Sequence, residues 1–239
     1  MPPRYAVYYA PEPDSPLGRF GDAWLGRSAQ SGQQIDRAGP EGAAAGAAPG
    51  LEPGELDRMT AEPRRYGFHG TLKPPFALAA GREPAGLRAA AEAFSGARRP
   101  FLLPPLKLAR LGRFLALVPS HESAEMADLA AAAVRELDAF RAPASPEELA
   151  RRRRAGLTPR QEELLLRWGY PHVMKAFRFH LTLSGPLAPA DLNRLEAALA
   201  PRVAPLCAEP VPVACVWLFE EPDAGLPFRR SARLPFRME

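Results

Sequence analysis

The chain has 239 residues, 46% of them apolar and 24% charged, with a formal net charge of +4. That balance excludes a chain disordered throughout, and no stretch approaches the roughly 18 consecutive apolar residues of a membrane-spanning helix. Nine Arg or Lys against four Glu between Arg141 and Arg178 more than account for the surplus charge, which suits an acidic small molecule better than the larger basic face of a nucleic-acid binder. Cys207 and Cys215 form neither a disulfide framework nor a zinc spacing, so two reduced, partly buried thiols are expected. Met1 to Ala10 lacks a basic start followed by an apolar run, and a cytoplasmic protein is expected.

In chain order, the aromatic and β-branched run Arg4–Tyr9 reads as a buried strand. Ser28 to Gly54 is rich in Gly, Ala and Pro and reads as a surface insert of open role. A short helix over Leu51–Ala61 and a strand over Arg65–Leu72 follow. Pro84 to Ala97 has helical spacing of Leu87, Ala90, Ala91 and Phe94. Phe101–Ala109 and Arg113–Val118 read as strands joined at Leu111-Gly112. Ser123 N-caps a helix reaching Phe140, with Leu129, Ala133 and Leu137 on one face. Pro146 to Trp168 gives one or two charged helices. The segment from about 141 to 176 is expected to pack on the outer side of the fold. Arg178–Leu183 is a strand, Pro189–Leu199 a helix, and Val211–Phe219 a strand whose hairpin partner is Phe228–Phe236. Strand–helix–strand–strand thus occurs twice, predicting an α+β fold of two similar lobes in one domain over 1–239.

The repeat carries the chemistry. Gly67-Phe-His-Gly-Thr-Leu-Lys-Pro-Pro-Phe76 and Arg178-Phe-His-Leu-Thr-Leu-Ser-Gly-Pro-Leu187 share Phe-His-x-Thr-Leu, then Pro four residues after Thr. A lone histidine of this kind is ordinarily a core or surface residue. Here the chain has only four His and four Thr, and two of each make the matched pair. Strand alternation puts His69 with Thr71, and His180 with Thr182, on the face away from the apolar Phe and Leu. An internal two-fold would set the pairs across a cleft, where imidazoles 111 positions apart converge on one phosphorus atom. One imidazole would take a proton from the attacking oxygen and the other protonate the leaving oxygen, while Thr71 and Thr182 hold the non-bridging oxygens. Two His without Cys or carboxylate in register call for no metal, and no cofactor fingerprint is present.

Alternation also places Lys73, Arg65, Arg178 and Ser184 on the histidine face as candidates for binding substrate phosphate. Tyr66 falls on the core face. Trp24 and Tyr170 read as anchors, and Lys175, His121 and His172 as structural or surface residues. Arg151–Arg154 reads as a solvated helix face.

With its two His-x-Thr-Leu motifs the sequence resembles the 2H phosphoesterase superfamily. The longer context around both motifs is similar to a branch encoded among bacterial phosphonate-utilisation genes. The resemblance implies a bilobal α+β fold, two pseudo-two-fold-related antiparallel sheets flanking a central cleft with helices outside. It also implies motif roles for His69, Thr71, His180 and Thr182. The function expected on this basis is a metal-independent phosphodiesterase, a hydrolase that opens a cyclic phosphate on a small ribosyl phosphate such as ribose 1,2-cyclic phosphate 5-phosphate. Two alternatives use the same residues: a phosphodiesterase for 2′,3′-cyclic ends of RNA or nucleotides, and a non-catalytic module that binds a phosphorylated metabolite. The expected partner is a small phosphorylated substrate, with RNA second and no membrane.

Overall fold

Apolar and aromatic residues on both faces of Arg4–Tyr9 (β1) bury it inside a sheet, as its composition predicts. The computed structural model describes residues 2–37, 39, 51, 54–154 and 156–237, so the Gly42–Gly50 part of the expected insert lies outside the described residues. From β1 the chain forms α1 (Pro16–Leu25), α2 (Glu55–Tyr66), β2 (Gly70–Ala77) and α3 (Pro84–Gly96). Next come β3 (Phe101–Leu103), β4 (Leu106–Leu111), β5 (Phe114–Pro119) and α4 (Ala124–Glu136). Then follow α5 (Pro146–Arg153), α6 (Pro159–Trp168), β6 (Leu181–Thr182), α7 (Pro189–Val203), β7 (Val211–Val213), β8 (Cys215–Glu221) and β9 (Arg229–Pro235). Short 3₁₀ turns lie at Asp138–Phe140 and Met174–Ala176. The fold is α+β, with antiparallel sheets and seven α-helices among the described residues. No helix among those residues is long and apolar enough to cross a membrane.

The sheets recombine the two halves of the sequence. One has the strand order β2-β1-β8-β9 and another β4-β5-β6, while β3 pairs with β7. The hairpin β8–β9 of the second half therefore joins, through β1, the motif strand of the first half. The hairpin β4–β5 of the first half pairs with the motif strand of the second. Lobes made each from one half, as the repeat suggests, are not what forms. Each motif strand is an outer strand of its sheet, β2 in one and β6 in the other.

Several elements depart from the sequence reading for local reasons. The segment Phe101–Ala109 divides at Pro104-Pro105, and Val211–Phe219 divides at Ala214; proline supplies no N–H to a ladder. Helix α2 runs on through Arg65 and Tyr66, which the sequence assigned to a strand. It stops at Gly67, whose φ of 78° and N–H bonds to the Pro63 and Arg64 carbonyls close the last turn. Helix α1 has no counterpart in the sequence reading, although its signals are local. Ser15 caps it by accepting the Gly18 N–H, Pro16 opens it, and Gly26 ends it in the left-handed region. Trp24 on α1 is 0% exposed, and its indole N–H donates to the Leu183 carbonyl at 2.8 Å. This bond ties α1 to the chain just after the second motif. The Ser123 cap and the buried residues Leu129, Ala133 and Leu137 agree with the sequence reading, although the helix ends at Glu136 rather than Phe140, and a Thr158–Gln161 capping box opens α6.

The two motif segments meet at a glycine. A Cβ on Gly70 would lie 2.4 Å from Cε2 of Phe179, the residue before His180. The Phe179 ring thus lies on the bare backbone of β2 while also meeting Tyr9 edge-on at 5.6 Å. Any side chain at position 70 has to push the segments apart. Gly70→Ala is expected to lower stability by about 1–3 kcal/mol, as overpacking does, and Phe179→Leu in the same chain to restore part of it. Urea unfolding checks this, and an unchanged midpoint in Gly70→Ala would refute the close packing.

Candidate active site

Both motif histidines are held in the same way, each just before its strand begins. His69 Nδ1 lies 2.9 Å from the Gly67 carbonyl, and His180 Nδ1 lies 2.8 Å from the Arg178 carbonyl. A carbonyl oxygen only accepts, so in both rings Nδ1 carries the hydrogen and donates it to the residue two places back. Nε2 is then the lone-pair nitrogen in each. At His69 it accepts from the Thr71 hydroxyl at 3.1 Å. Thr182 is half-buried beside its own histidine, paired in the sheet with Ala116. The two imidazoles are close enough for a charge on His180 to depress the pKa of His69. Thr71 is thus hydrogen-bonded to His69, and His180 lies within electrostatic reach of His69.

Aromatic rings form the walls. Tyr8 stacks on His69 with centroids 3.8 Å apart, and Tyr66 is tilted at 6.2 Å. Phe114 lies 5.8 Å from His180. Tyr170 lies within electrostatic reach of both Tyr8 and Tyr66. The segment from 141 to 176 thus reaches the site through Tyr170 and His172, while Leu164 and Val173 pack against Val134 of α4. The segment expected to pack on the outer side of the fold therefore also comes within electrostatic reach of the motif residues. Tyr8, Tyr66, Tyr170 and His172 went unrecognised as site residues. They come from three segments, β1, the end of α2 and the chain after α6, which no single sequence spacing joins.

Three of the four expected phosphate-binding residues are placed elsewhere. Lys73 is 1% exposed, with its ammonium donating to the Val134 carbonyl at 3.2 Å and to Asp138 at 3.4 Å. The cause is a bulge: Tyr8 pairs with Thr71 but Val7 with Lys73, so Leu72 is an extra residue and alternation reverses after Thr71. Lys73 then shares the Val7 side, towards the main core. Burial pushes its pKa down to about 8 against the pull of Asp138. Ser184 is likewise 1% exposed; its hydroxyl accepts the Leu115 N–H at 3.0 Å and donates to the Gly185 carbonyl at 2.9 Å. Leu183 and Ser184 both direct their N–H to the single Leu115 carbonyl, the same irregularity after the second motif. Arg65 lies in α2 rather than on the motif strand, and it forms an ion pair with the buried Glu221, which also holds Arg4. Arg178 is exposed beside His180, and among the described residues its guanidinium has no ion-pair partner.

Of the other residues singled out in the sequence, Trp24, His121 and the two cysteines hold structural or surface positions. His121 is exposed next to Ser120. Cys207 and Cys215 are buried free thiols, pushed by burial up to about 11 and about 12. Among the described residues no group of three or more His, Cys, Asp or Glu is placed to hold a metal ion.

Two outer strands, each paired with a hairpin from the other half, are thus each preceded by an imidazole tethered to a backbone carbonyl and flanked by an aromatic ring. The chain belongs to the family described as protein of unknown function DUF1045, which matches residues 71–229. It is similar to a protein of Janthinobacterium sp. (strain Marseille) named ribose 1,5-bisphosphate phosphokinase PhnN, 38% identical over 237 residues that cover 98% of this chain and 51% of that one. A protein of the same name from Laribacter hongkongensis (strain HLHK9) is 39% identical over 226 residues, covering 95% of this chain and 50% of that one. The chain spans about half the length of the curated relatives it matches. Their PhnN name accords with the phosphonate-utilisation branch that the motif context resembles.

These relatives correct the expected reaction. They are named for a phosphokinase, which transfers a phosphoryl group, and not for a hydrolase of cyclic or RNA phosphodiesters. The physical reason for the miss is that paired imidazoles specify proton handling at a phosphate. Hydrolysis and transfer share that requirement, and the motif does not say what accepts the phosphoryl group.

The imidazoles are tuned to stay neutral. Burial pushes His69 down from 6.5 to about 4, the Gly67 hydrogen bond opposing and the nearby His180 charge assisting; burial also lowers His180. Between pH about 6.5 and about 4 the unfolded chain therefore binds more protons than the folded one. Stability is full above that window and falls as the pH drops through it. His69→Gln is expected to flatten this slope in urea unfolding series run from pH about 7.5 to about 4.5. An unchanged slope would contradict a neutral, enclosed His69.

Proposed function

We propose that the cleft binds a phosphorylated ribose and serves phosphoryl transfer, with His69 and His180 handling the proton and Thr71 and Thr182 donating hydrogen bonds to phosphate oxygens. What carries the reading is the matched tautomer. Two imidazoles with Nδ1–H tied to backbone carbonyls keep Nε2 for the ligand, and they are near enough to influence each other. As a dianionic phosphate enters, its charge raises both imidazole pKa values, and one ring takes up a proton. The protonated ring then stabilises negative charge on the phosphate. The neutral ring accepts the proton of a sugar hydroxyl as its oxygen bonds to the terminal phosphorus of a phosphoryl donor held outside this chain; the donor's P–O bond breaks with its electron pair left on the donor, and the ring passes its proton to solvent. Arg178, exposed beside His180, adds a cation at the mouth.

The relatives' name supplies the substrate class, a phosphorylated ribose, and a place in phosphonate utilisation. Within such a protein this chain's share is the sugar phosphate and not the phosphoryl donor, because the sequence contains no Gly-rich loop ending in Lys-Ser/Thr to cradle a donor's phosphates. The reading treats residues 1–239 as one two-lobed domain, with motifs at 65–76 and 176–187, related by a pseudo-two-fold as in the superfamily whose motifs it resembles.

Calorimetric titration with ribose 5-phosphate and ribose 1,5-bisphosphate tests the reading. Binding is expected with proton uptake near neutral pH, and His69→Ala and His180→Ala are each expected to weaken it by about tenfold or more. The thermal unfolding midpoint near pH 7.5 serves as the control for folding. A wild-type chain that binds neither sugar phosphate, or variants that bind as well as wild type, would refute it.

A further inference from the structure

Beside the paired imidazoles stands a second cluster with the character of an anion site. After α6 the chain passes through Tyr170 and His172 and then folds back through the 3₁₀ turn Met174–Ala176 towards His180. Met174 has φ 55°, the left-handed region in which a non-glycine residue is strained, a conformation that persists only where its surroundings impose it. Arg152 of α5 lays its guanidinium over the Tyr170 ring at 4.7 Å. Tyr170 meets His172 edge-on at 5.6 Å, and the Gln161 amide lies 3.4 Å from His172 Nδ1. Glu148 accepts one Arg152 N–H at 2.8 Å, while Arg152 Nε is buried and has no hydrogen-bond partner among the described residues. A charged group's donor is costly to leave unpaired in such a place. The charges of His180 and Arg152 also both act on His172, so the second cluster adjoins the first.

We propose that Arg152, Tyr170 and His172 form a second anion subsite that takes the far phosphate of a doubly phosphorylated ribose, while the His69–His180 pair takes the near one. The inference rests on the phosphorylated-ribose reading above and adds to it a measure of substrate length. Arg152 lies on the Tyr170 ring at 4.7 Å, and the same Tyr170 is within electrostatic reach of Tyr8, the ring stacked on His69; a sugar with one phosphate fills only one of the two positions. The subsite belongs to the segment between the sequence halves, outside both repeated motifs. Its specificity is therefore set independently of the proton chemistry.

Titration of the chain with ribose 5-phosphate, ribose 1,5-bisphosphate and inorganic phosphate decides the matter. Wild type is expected to bind the bisphosphate about tenfold or more tightly than ribose 5-phosphate. Arg152→Met, which keeps the packing on Tyr170, is expected to remove that preference. In this variant, affinity for ribose 5-phosphate and inorganic phosphate should stay within about threefold of wild type. Equal wild-type affinity for the two sugars, or a variant that loses all three ligands alike, overturns the subsite and leaves the paired-imidazole reading standing. Wild-type protein that binds none of the three overturns both.

Discussion

Phe179 lying on the bare backbone of Gly70 is the contact on which the site depends. It brings the outer strand of one sheet against the segment entering the outer strand of another, and each segment carries its histidine next to the contact. The opposite side of the same junction is secured by the Trp24 indole on the Leu183 carbonyl. A buried ring and a buried hydrogen bond thus clamp the second motif from two directions. The imidazoles need no direct bond to each other, because their positions follow from the backbones beneath them.

The clamp would be of little use if the rings were free to turn. Each is fixed through Nδ1 to a carbonyl two residues back, a bond available only because both histidines precede the first paired residue of their strands. Tethering at Nδ1 sets the tautomer, and Tyr8 stacked on His69 sets the ring plane. The enclosure that holds the rings also keeps them neutral. A pair of neutral imidazoles can share a cleft at close range, whereas two imidazolium ions would repel each other. Glu221, enclosed between Arg4 and Arg65, leaves those arginines engaged away from the imidazoles. The chemistry of the cleft is then left to groups that titrate.

Much of this was legible in the chain itself. The repeated Phe-His-x-Thr-Leu, the alternation that separates His and Thr from the apolar residues, the helix caps and the α+β class are all local properties, and local sterics and periodicity write them into neighbouring residues. Alternation held for His69 with Thr71 and failed one step further on, where a bulge turned Lys73 to the core and another irregularity consumed the Ser184 hydroxyl. Arg65 was misplaced because helix α2 ran five residues beyond the point at which its sequence pattern faded. Propensity alone does not say when tertiary packing will prolong a helix.

The sequence by itself determined that Phe-His-x-Thr-Leu occurs twice and that each copy enters a strand. Only the tertiary structure decided that each motif strand pairs with the hairpin of the other half, and that Tyr8, Tyr66 and Tyr170 wall the cleft. It alone brought His172 within electrostatic reach of both the second histidine and Arg152. The physical reason is range. Residue spacing encodes contacts within a turn or a strand, whereas strand exchange, bulges and the approach of distant aromatics depend on how whole layers bury their apolar faces against one another.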